Sequence, residues 1–228
     1  MTQEHELSIS EEEYIEALYN LMEEGKTHVR TSELAERLGV SPPSVTEMVK
    51  GPLARKKLVV YTPYKGVRLT AKGREAAARV VRRHRIAERL LADIVGVEWE
   101  KCHEEACKLE HALSDEVADK LAATLKNPAT CPHGNVIPPP TGEIRDDGSK
   151  PLLEFSPPLR VRVVKIVRES RNLLRRLAAM GILPGVELKI VKRAPFNGPI
   201  LVDLDGFQVA LSGDIAKSIM VIPVVDGA

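Results

Sequence analysis

The ten residues from Cys102 to His111, "CHEEACKLEH", concentrate side chains that can bind a metal ion. They include two cysteines, two histidines and three glutamates, without a proline or glycine that would interrupt a helix. Each residue of a helix advances by about 100°, so His103, Cys107, Glu110 and His111 share a stripe about 100° wide. Imidazole, carboxylate and thiolate groups on one face favour a transition metal over Mg²⁺ or Ca²⁺.

The preceding helix offers a second pair of such groups. A helical pattern runs from Ala71 to about Val95 and carries His84 and Glu88, whose spacing of four residues lets both side chains point the same way. Each residue alone has an ordinary explanation, either a solvated helix face or, for Cys107, a small core side chain. The combination on two helices predicts a metal site.

Two other functions fit the same stretch. "HEEAC" is similar to the HExxH helix of zinc peptidases, with Cys107 in place of the second histidine and Glu104 as general base. A catalytic metal keeps one coordination position open, whereas Glu110 and His111 on the same face would close it. A metallohydrolase is therefore the weaker hypothesis, and a DNA-binding protein with structural zinc is the other alternative.

Charge is divided unevenly along the 228 residues, although the net charge is only +1. Residues 1–49 carry eleven acids and three bases, whereas residues 50–89 carry thirteen Lys or Arg and two Glu. The basic segment predicts a surface that binds a polyanion. A solvated basic helix face is the alternative.

The amino-terminal region has the pattern of a winged helix-turn-helix. Ser10 and Glu13 fit a capping box at the start of a helix over about residues 10–24. "TSELAERLGV" ends at a glycine, Ser41 caps "SPPSVTEMVK", and Gly51-Pro52 ends that helix. Two strand-like runs in "VVYTPYKGVRLT" follow as a hairpin. Helix-turn-helix proteins commonly read two half-sites as dimers, so we expect a homodimer.

The carboxy-terminal region has a different pattern. Ser114 caps a further helix, and residues 127–158 hold eight of the sixteen prolines, as is typical of a linker. Five short strand-like runs and one helix, "NLLRRLAAMG", then indicate a small β-barrel.

The composition also indicates the cellular location of the protein and the redox state of its cysteines. No segment approaches the roughly 20 apolar residues of a membrane-spanning helix, and the acidic amino terminus lacks an export signal. Three cysteines are few and odd in number, so a disulfide framework is improbable. We expect a cytoplasmic protein with reduced thiols and no membrane partner.

Six motifs, in this order, resemble the diphtheria toxin repressor family of metal-dependent regulators: "EEYIEALY", "VSPPSVTEMVK", "RRHRIAERLL", "HEEACKLEH", "LSDEV" and "CPHGNVIP". The tail, with "LRRLAAMGILPGVELKIVKRAPFNGPILVDLDG", is similar to the SH3-like domain shared by iron-dependent repressors and small ferrous-iron-transport proteins. The resemblance implies a mainly α, multidomain fold. Its parts are a winged helix-turn-helix domain (1–72), a helical metal-binding and dimerisation domain (73–140), a Pro/Gly-rich linker (141–157) and an SH3-like small β-barrel (158–228).

The resemblance also implies two metal positions. The primary one would use Glu13, Cys107, Glu110 and His111, and the ancillary one His84, Glu88 and His103. Glu16 matches an acidic ligand of the manganese branch, and Glu169 is the candidate ligand from the third domain. Iron-type members usually have Met at the position of Glu13, whereas manganese-type members have Asp there and Glu in place of Cys107. This chain combines Glu13 with Cys107 and so matches neither branch fully. The predicted capping box would also use the Glu13 side chain, in competition with metal binding.

The implied function is a metal-activated transcriptional repressor of metal-homeostasis genes, without a small organic substrate. It would bind double-stranded operator DNA as a homodimer. A thiolate ligand and the iron-type tail favour Fe²⁺ over Mn²⁺, while Co²⁺, Ni²⁺ and Zn²⁺ should bind as well or better in vitro. A manganese-responsive regulator of the same family is the alternative. The residues expected to contact DNA are Ser41, Pro43, Ser44, Thr46, Glu47, Lys50, Lys65 and Arg68.

Overall fold

The computed structural model describes residues 7–141, 143, 147–195 and 198–224. The chain divides into two units. The first comprises residues 1–84, 109–120 and 137–145, and the second comprises residues 85–108, 121–136 and 146–228. Among the described residues, no helix is both long and apolar enough to cross a membrane.

The first unit begins with the predicted winged helix-turn-helix. Its elements are α1 (Ile9–Glu23), α2 (Thr31–Leu38), α3 (Pro42–Lys50), α4 (Pro52–Arg55), β1 (Val59–Thr62) and β2 (Gly66–Leu69). The Ser41 hydroxyl accepts a hydrogen bond from the amide of Ser44, which confirms the predicted cap of α3. Gly39 ends α2 in the left-handed region, with φ of 67°. The apolar faces of these helices enclose one core that includes Ile15, Leu18 and Leu34.

The predicted capping box of α1, Ser10 with Glu13, was wrong by two residues. Ser8, rather than Ser10, is the N-cap, and its hydroxyl accepts from the amide of Glu11. The Glu11 carboxylate in turn accepts from the Ser8 amide at 2.8 Å and pairs with Lys56 at 2.7 Å. Both Ser8 and Ser10 precede a glutamate by three residues, so the motif alone allowed two registers. Glu13 is therefore released from a capping role.

Backbone hydrogen bonds hold the hairpin of β1 and β2 against the rest of the first unit. Val29 and Val67 exchange two of them, each 2.8 Å long. Gly66 lies so close to this bridge, with φ of 113°, that an added Cβ would stand 2.3 Å from the Val29 carbonyl oxygen. Glycine is required there by both the backbone angle and the space.

The long helix α5 (Ala71–Leu90) continues into one wider π-helical turn, Leu91–Val95, that ends at Gly96. The stretch predicted as one further helix is divided into three parts. A 3-10 turn (Trp99–Lys101) leads into α6 (Cys102–Leu109), and a second 3-10 turn (Glu110–Ala112) follows. The predicted stripe assumed 100° per residue throughout, and the tighter turn after Leu109 breaks that periodicity. α7 (Asp115–Thr124) follows, and the Ser114 hydroxyl accepts from the amide of Val117 as predicted.

The five predicted strands of the carboxy-terminal region are confirmed. They are β4 (Leu159–Ile166), β5 (Glu187–Arg193), β6 (Ile200–Leu204), β7 (Phe207–Leu211) and β8 (Ile219–Pro223), with α8 (Arg171–Ala179) and α9 (Gly213–Ser218) between them. Together with the short β3 (Lys150–Pro151) they form an antiparallel sheet of order β3-β8-β4-β5-β6-β7. A second core, including Val161, Leu177 and Ile190, lies against this sheet.

We expect Gly66→Ala to lower the free energy of unfolding by about 2–4 kcal/mol, because the methyl group would meet the Val29 carbonyl at an unfavourable φ. Urea denaturation followed by circular dichroism measures the change. Gly25→Ala is the control, since Gly25 has φ of 93° but open space around it. It should cost about 1 kcal/mol. Equal losses in the two variants would contradict a role for the close contact with Val29.

Candidate functional site

Three predicted residues of the first unit converge on one point, here called cluster one. Ligand atoms of Glu16, His84 and Glu110 all lie within 4.8 Å of one another. Glu110 and His84 are almost fully buried, at 1% and 3% exposure, and His84 Nδ1 lies 2.5 Å from Glu110 Oε2. The three side chains come from α1, from α5 and from the 3-10 turn after α6.

Further charged side chains surround cluster one. His111 bridges two carboxylates, with Nδ1 at 2.7 Å from Glu12 Oε2 and Nε2 at 3.2 Å from Glu110 Oε1. The buried guanidinium of Arg83 donates to Glu12 Oε1 at 2.6 Å, to Asp115 Oδ1 at 2.8 Å and to the carbonyl oxygen of Glu110 at 3.1 Å. Burial alone would lower the pKa of Arg83, but hydrogen bonds and charge from Asp115 and Glu12 raise it.

Glu13, the ligand expected from α1, faces a different direction from Glu12 and Glu16. Glu13 lies on the exposed side of α1, whereas Glu12 faces His111 and Glu16 faces cluster one. Glu13 and Glu16 are three residues apart and are therefore neighbours on the helix surface. Among the described residues, the α1 carboxylates directed at the cluster are those of Glu12 and Glu16.

A second group of metal-ligating side chains, cluster two, lies in the second unit. Ligand atoms of Glu88, Cys131, His133 and Glu169 all lie within 4.8 Å of one another. His133 Nδ1 is 3.1 Å from Glu88 Oε1 and 3.4 Å from Glu169 Oε1, and its Nε2 lies 3.0 Å from the carbonyl oxygen of Trp99. Asn135 donates to Glu169 at 2.6 Å and so fixes that carboxylate. Glu169, the candidate ligand from the third domain, thus lies among side chains whose donor atoms could hold a metal ion.

His103 and Cys107 lie beside cluster two. His103 Nδ1 is 2.9 Å from Glu169 and 3.5 Å from Glu88, and its Nε2 lies 3.8 Å from the Cys107 sulfur. Burial would lower the pKa of His103, but the Glu169 carboxylate and neighbouring groups raise it to about 12. Cys107 is exposed, unlike the buried Glu110 and Cys131. Cys107 was expected at the primary metal position and His103 at the ancillary one. The structure places these two side chains next to each other.

Sequence reasoning missed Cys131 and His133 as candidate ligands. Both lie in "CPHGNVIP", which was assigned to the ordered end of a linker because of its prolines and glycine. The signal was present, since a cysteine and a histidine two residues apart suit one metal ion. The segment is held in place by backbone bonds, including one from the Ile166 amide to the His133 carbonyl at 2.9 Å.

Both clusters fit a divalent transition metal by their donor chemistry. Cluster one offers carboxylates and imidazoles, which suit Mn²⁺ and Fe²⁺. Cluster two adds the Cys131 thiol, a softer donor, in a pocket where Cys131, His133 and Glu88 are at most 1% exposed. Burial raises the pKa of that thiol well above its ordinary value, so binding of a metal there must release a proton.

The outward face of α3 carries the residues expected to contact DNA. Val45 and Val49 are buried on the opposite face, whereas Ser41, Pro43, Ser44, Glu47 and Lys50 are exposed and Thr46 is half-buried. The Thr46 hydroxyl donates to the Pro42 carbonyl at 3.0 Å. Lys50 extends over the Tyr61 ring of β1, with Nζ 4.6 Å from the ring centre. Lys65 and Arg68 are exposed on the hairpin.

Comparisons with known families cover nearly the whole chain. Residues 6–67 match the iron dependent repressor N-terminal DNA binding domain, residues 70–139 match the iron dependent repressor metal binding and dimerisation domain, and residues 150–223 match the FeoA domain. Together they span nearly all of the winged helix-turn-helix, every residue of both clusters, and the carboxy-terminal sheet.

Individual relatives agree with these matches. The chain is 35% identical to the iron-dependent repressor IdeR of Mycobacterium tuberculosis, over 95% of this chain and 98% of the relative. It is 36% identical to the diphtheria toxin repressor of Corynebacterium diphtheriae, over 92% and 95%. A solved manganese-dependent transcriptional repressor in complex with manganese is 33% identical, with a TM-score of 0.85 over 94% of this chain and 100% of that one.

These relatives are named as repressors and the amino-terminal match is to a DNA binding domain, so the comparisons do not favour the metallohydrolase alternative for "HEEAC". With a DNA-binding domain, a metal-binding domain and a FeoA domain in the matching order, the chain belongs to the iron-dependent repressor family of metal-dependent transcriptional regulators.

Proposed function

We propose that a divalent metal ion bound at cluster one activates this protein to bind operator DNA as a homodimer and to repress metal-homeostasis genes. One observation supports the proposal: cluster one brings together side chains from α1, the first helix of the winged helix-turn-helix, and from α5 and the turn after α6. The domain boundaries are proposed at 1–72, 73–140, 141–157 and 158–228.

The metal would act by favouring one arrangement of these elements. Glu16 and its neighbour Glu12 belong to α1, whereas His84, Glu110 and His111 lie elsewhere in the first unit. A metal that binds only the arrangement in which these groups meet stabilises it, by about 2.7 kcal/mol at a hundredfold excess over its dissociation constant. Because α2 and α3 pack in the same core as α1, fixing α1 would also fix the DNA-contacting face of α3.

We propose the predicted surface of α3 and the hairpin as the DNA contact. Ser41, Ser44 and Glu47 would face the groove, with Lys50, Lys65 and Arg68 on the phosphates. Their exposure supports this role, as does the burial of Val45 and Val49 on the other face of α3.

We propose Fe²⁺ as the activating metal, with Mn²⁺ as the alternative. The mycobacterial relatives are named iron-dependent, and the chain carries a FeoA domain, whereas a solved relative is manganese-dependent. The Cys107 thiolate favours Fe²⁺ less than the sequence suggests, because the described donors of cluster one are oxygen and nitrogen. Co²⁺, Ni²⁺ and Zn²⁺ should also bind in vitro.

Cluster two is proposed as a second divalent site with a stabilising role. Its ligands would come from α5, from the segment 131–135 and from the loop after β4. A metal there would hold Glu169 to Glu88 and His133, and His103 would be a further ligand. Glu13 and Cys107 remain proposed ligands on the family resemblance.

Under anaerobic conditions, DNA from upstream of the protein's own gene should be bound when Fe²⁺ or Mn²⁺ is added and released when a chelator is added. Fluorescence anisotropy over a metal titration measures this response. Equal binding with and without chelator would exclude a metal switch. If the metal stays bound through dialysis and DNA binding does not change with metal concentration, the result would indicate structural zinc instead.

Glu110→Ala should weaken metal binding by at least about 100-fold and abolish metal-dependent DNA binding, because it removes the buried carboxylate of cluster one. Glu16→Gln should weaken metal binding more than Glu13→Gln does, since Glu16 faces the cluster. Glu104→Gln removes an exposed carboxylate from α6 and is the control, expected to bind metal and DNA normally. Calorimetric metal titration measures all four variants. An unchanged Glu110→Ala would remove that residue from the site.

Cobalt is a probe for cluster two. We expect Co²⁺ to give a thiolate-to-metal charge-transfer band that Cys131→Ser abolishes, with one metal ion fewer bound per chain. Cys102→Ser is the matched control, because Cys102 is equally buried but its sulfur lies against the carbonyls of Val97 and Glu98. Cys107→Ser reports whether the exposed thiol contributes. A band retained in Cys131→Ser and lost in Cys107→Ser would refute a thiol ligand in cluster two.

A further inference from the structure

The imidazole ring of His111 is held by a carboxylate of α1. Glu12 Oε2 lies 2.7 Å from His111 Nδ1, although the two residues are 99 positions apart in the chain. An ionised carboxylate can only accept a hydrogen bond, so Nδ1 is the donor. Both side chains are mostly buried, at 16% and 13% exposure. Water therefore competes little for this bond, and the bond fixes the orientation of the ring.

The other nitrogen of the ring faces cluster one. His111 Nε2 lies 3.2 Å from Oε1 of Glu110, the buried carboxylate of that cluster. Histidines that bind metals commonly donate their second ring N–H to a carboxylate, which fixes the tautomer and the ring orientation. The contact between His111 Nδ1 and Glu12 has this form. It leaves Nε2, beside the Glu110 carboxylate, as the ring atom that can bind a cation.

Glu12 is itself held in place from its other side. Its Oε1 accepts from the Arg83 guanidinium at 2.6 Å, and Arg83 also donates to Asp115 of α7 at 2.8 Å. One oxygen of Glu12 thus serves the guanidinium and the other serves the imidazole. Among the described residues, the carboxylate that α1 contributes to cluster one is that of Glu16. Glu12 is therefore placed to orient His111 rather than to bind an ion directly.

We propose that Glu12 is a positioning residue for the metal switch, which orients the ring of His111 and is in turn held by Arg83. This inference rests on the metal activation described under the proposed function and adds a residue that acts through a ligand. A hydrogen bond that fixes the ring to α1 also fixes α1 to the ring. The first helix of the DNA-binding domain is then joined to the metal position by hydrogen bonds as well as by Glu16.

A double-mutant cycle on metal affinity tests this role, with Mn²⁺ as the probe because oxygen and nitrogen donors suit it. Glu12→Gln should weaken Mn²⁺ binding about 10- to 100-fold, since an amide accepts more weakly than a carboxylate and offers Arg83 no charge. In a His111→Ala background the same substitution should change affinity by less than about twofold, because the ring that Glu12 orients is gone. Calorimetric titration of the full chain measures all four proteins. Additive losses would show that Glu12 binds the ion itself and would overturn the inference.

The protonated nitrogen of the ring gives a readout that does not depend on metal affinity. Which nitrogen of a histidine carries the proton is set by the hydrogen bonds that the ring makes. Long-range ¹H–¹⁵N NMR of metal-free, histidine-labelled protein should place a proton on Nδ1 of His111, and Glu12→Ala should remove that preference. His111→Ala assigns the signals. A wild-type Nδ1 without a proton, or a ring unchanged by Glu12→Ala, would contradict the proposal.

Arg83→Lys tests the hold on Glu12 while the positive charge is kept. A lysine cannot reproduce the fork of the guanidinium toward Glu12 and Asp115, so Mn²⁺ binding should weaken by roughly threefold or more. Arg82→Lys is the matched control, because Arg82 is the neighbouring residue on α5 and pairs with Asp119 of α7 rather than with α1. It should bind Mn²⁺ as the wild type does. Equal losses in the two variants would refute a specific role of Arg83.

Failure of this inference is distinguishable from failure of the proposed function. If wild-type protein gains DNA affinity with Mn²⁺ and Glu12→Gln binds Mn²⁺ equally well, the positioning role is refuted while the metal switch stands. If DNA binding by the wild-type protein does not respond to Mn²⁺, the proposed function fails. The cycle and the NMR signals then still decide whether Glu12 orients His111 for metal binding.

Discussion

A buried carboxylate needs positive charge or hydrogen-bond donors around it. In the first unit, side chains from α5 and from the turn after α6 surround the carboxylate of Glu110. The side chain is 1% exposed and lies 2.5 Å from His84 and 3.2 Å from His111. Leaving such a group without partners would cost several kcal/mol. The register between α5 and the turn after α6 is therefore specified by these contacts.

Arg83 completes the charge balance of this cluster. Its guanidinium is permanently charged and donates to Glu12 and to the Glu110 backbone, so it is a fixed positive charge beside the cluster. The carboxylates of Glu12, Glu16 and Glu110 then outnumber the fixed cation by two. One divalent ion would neutralise that excess. Asp115, whose side chain is 51% exposed, also lies 3.6 Å from Arg79, so its charge has a second cation and is screened by water.

The sequence predicted the elements well and the ligand grouping less well, for local physical reasons. Helix starts and stops at Ser41, Gly39 and Ser114 follow from backbone groups that a single side chain or a glycine can satisfy. The grouping depends on geometry beyond the helix. Glu11, Glu12 and Glu13 are adjacent and chemically identical, and the motif alone does not tell that Ser8 engages Glu11 in the cap while Glu12 faces His111. The 3-10 turn at Glu110 likewise left no signal in the pattern of residue types.

Cys131 and His133 were missed for a different reason. Their residue types pointed to a metal ion, but the prolines and glycine beside them in the sequence pointed to a linker. Proline and glycine predicted a linker, yet the segment is buried and bonded to the strand β4. That placement puts a soft donor in cluster two and leaves oxygen and nitrogen in cluster one. A metal entering cluster two must displace the proton of a thiol whose pKa burial has raised, and a strong bond to sulfur offsets that cost. Co²⁺ and Zn²⁺ form such bonds more strongly than Mn²⁺ does, so we expect them to fill both clusters, while Mn²⁺ fills cluster one first.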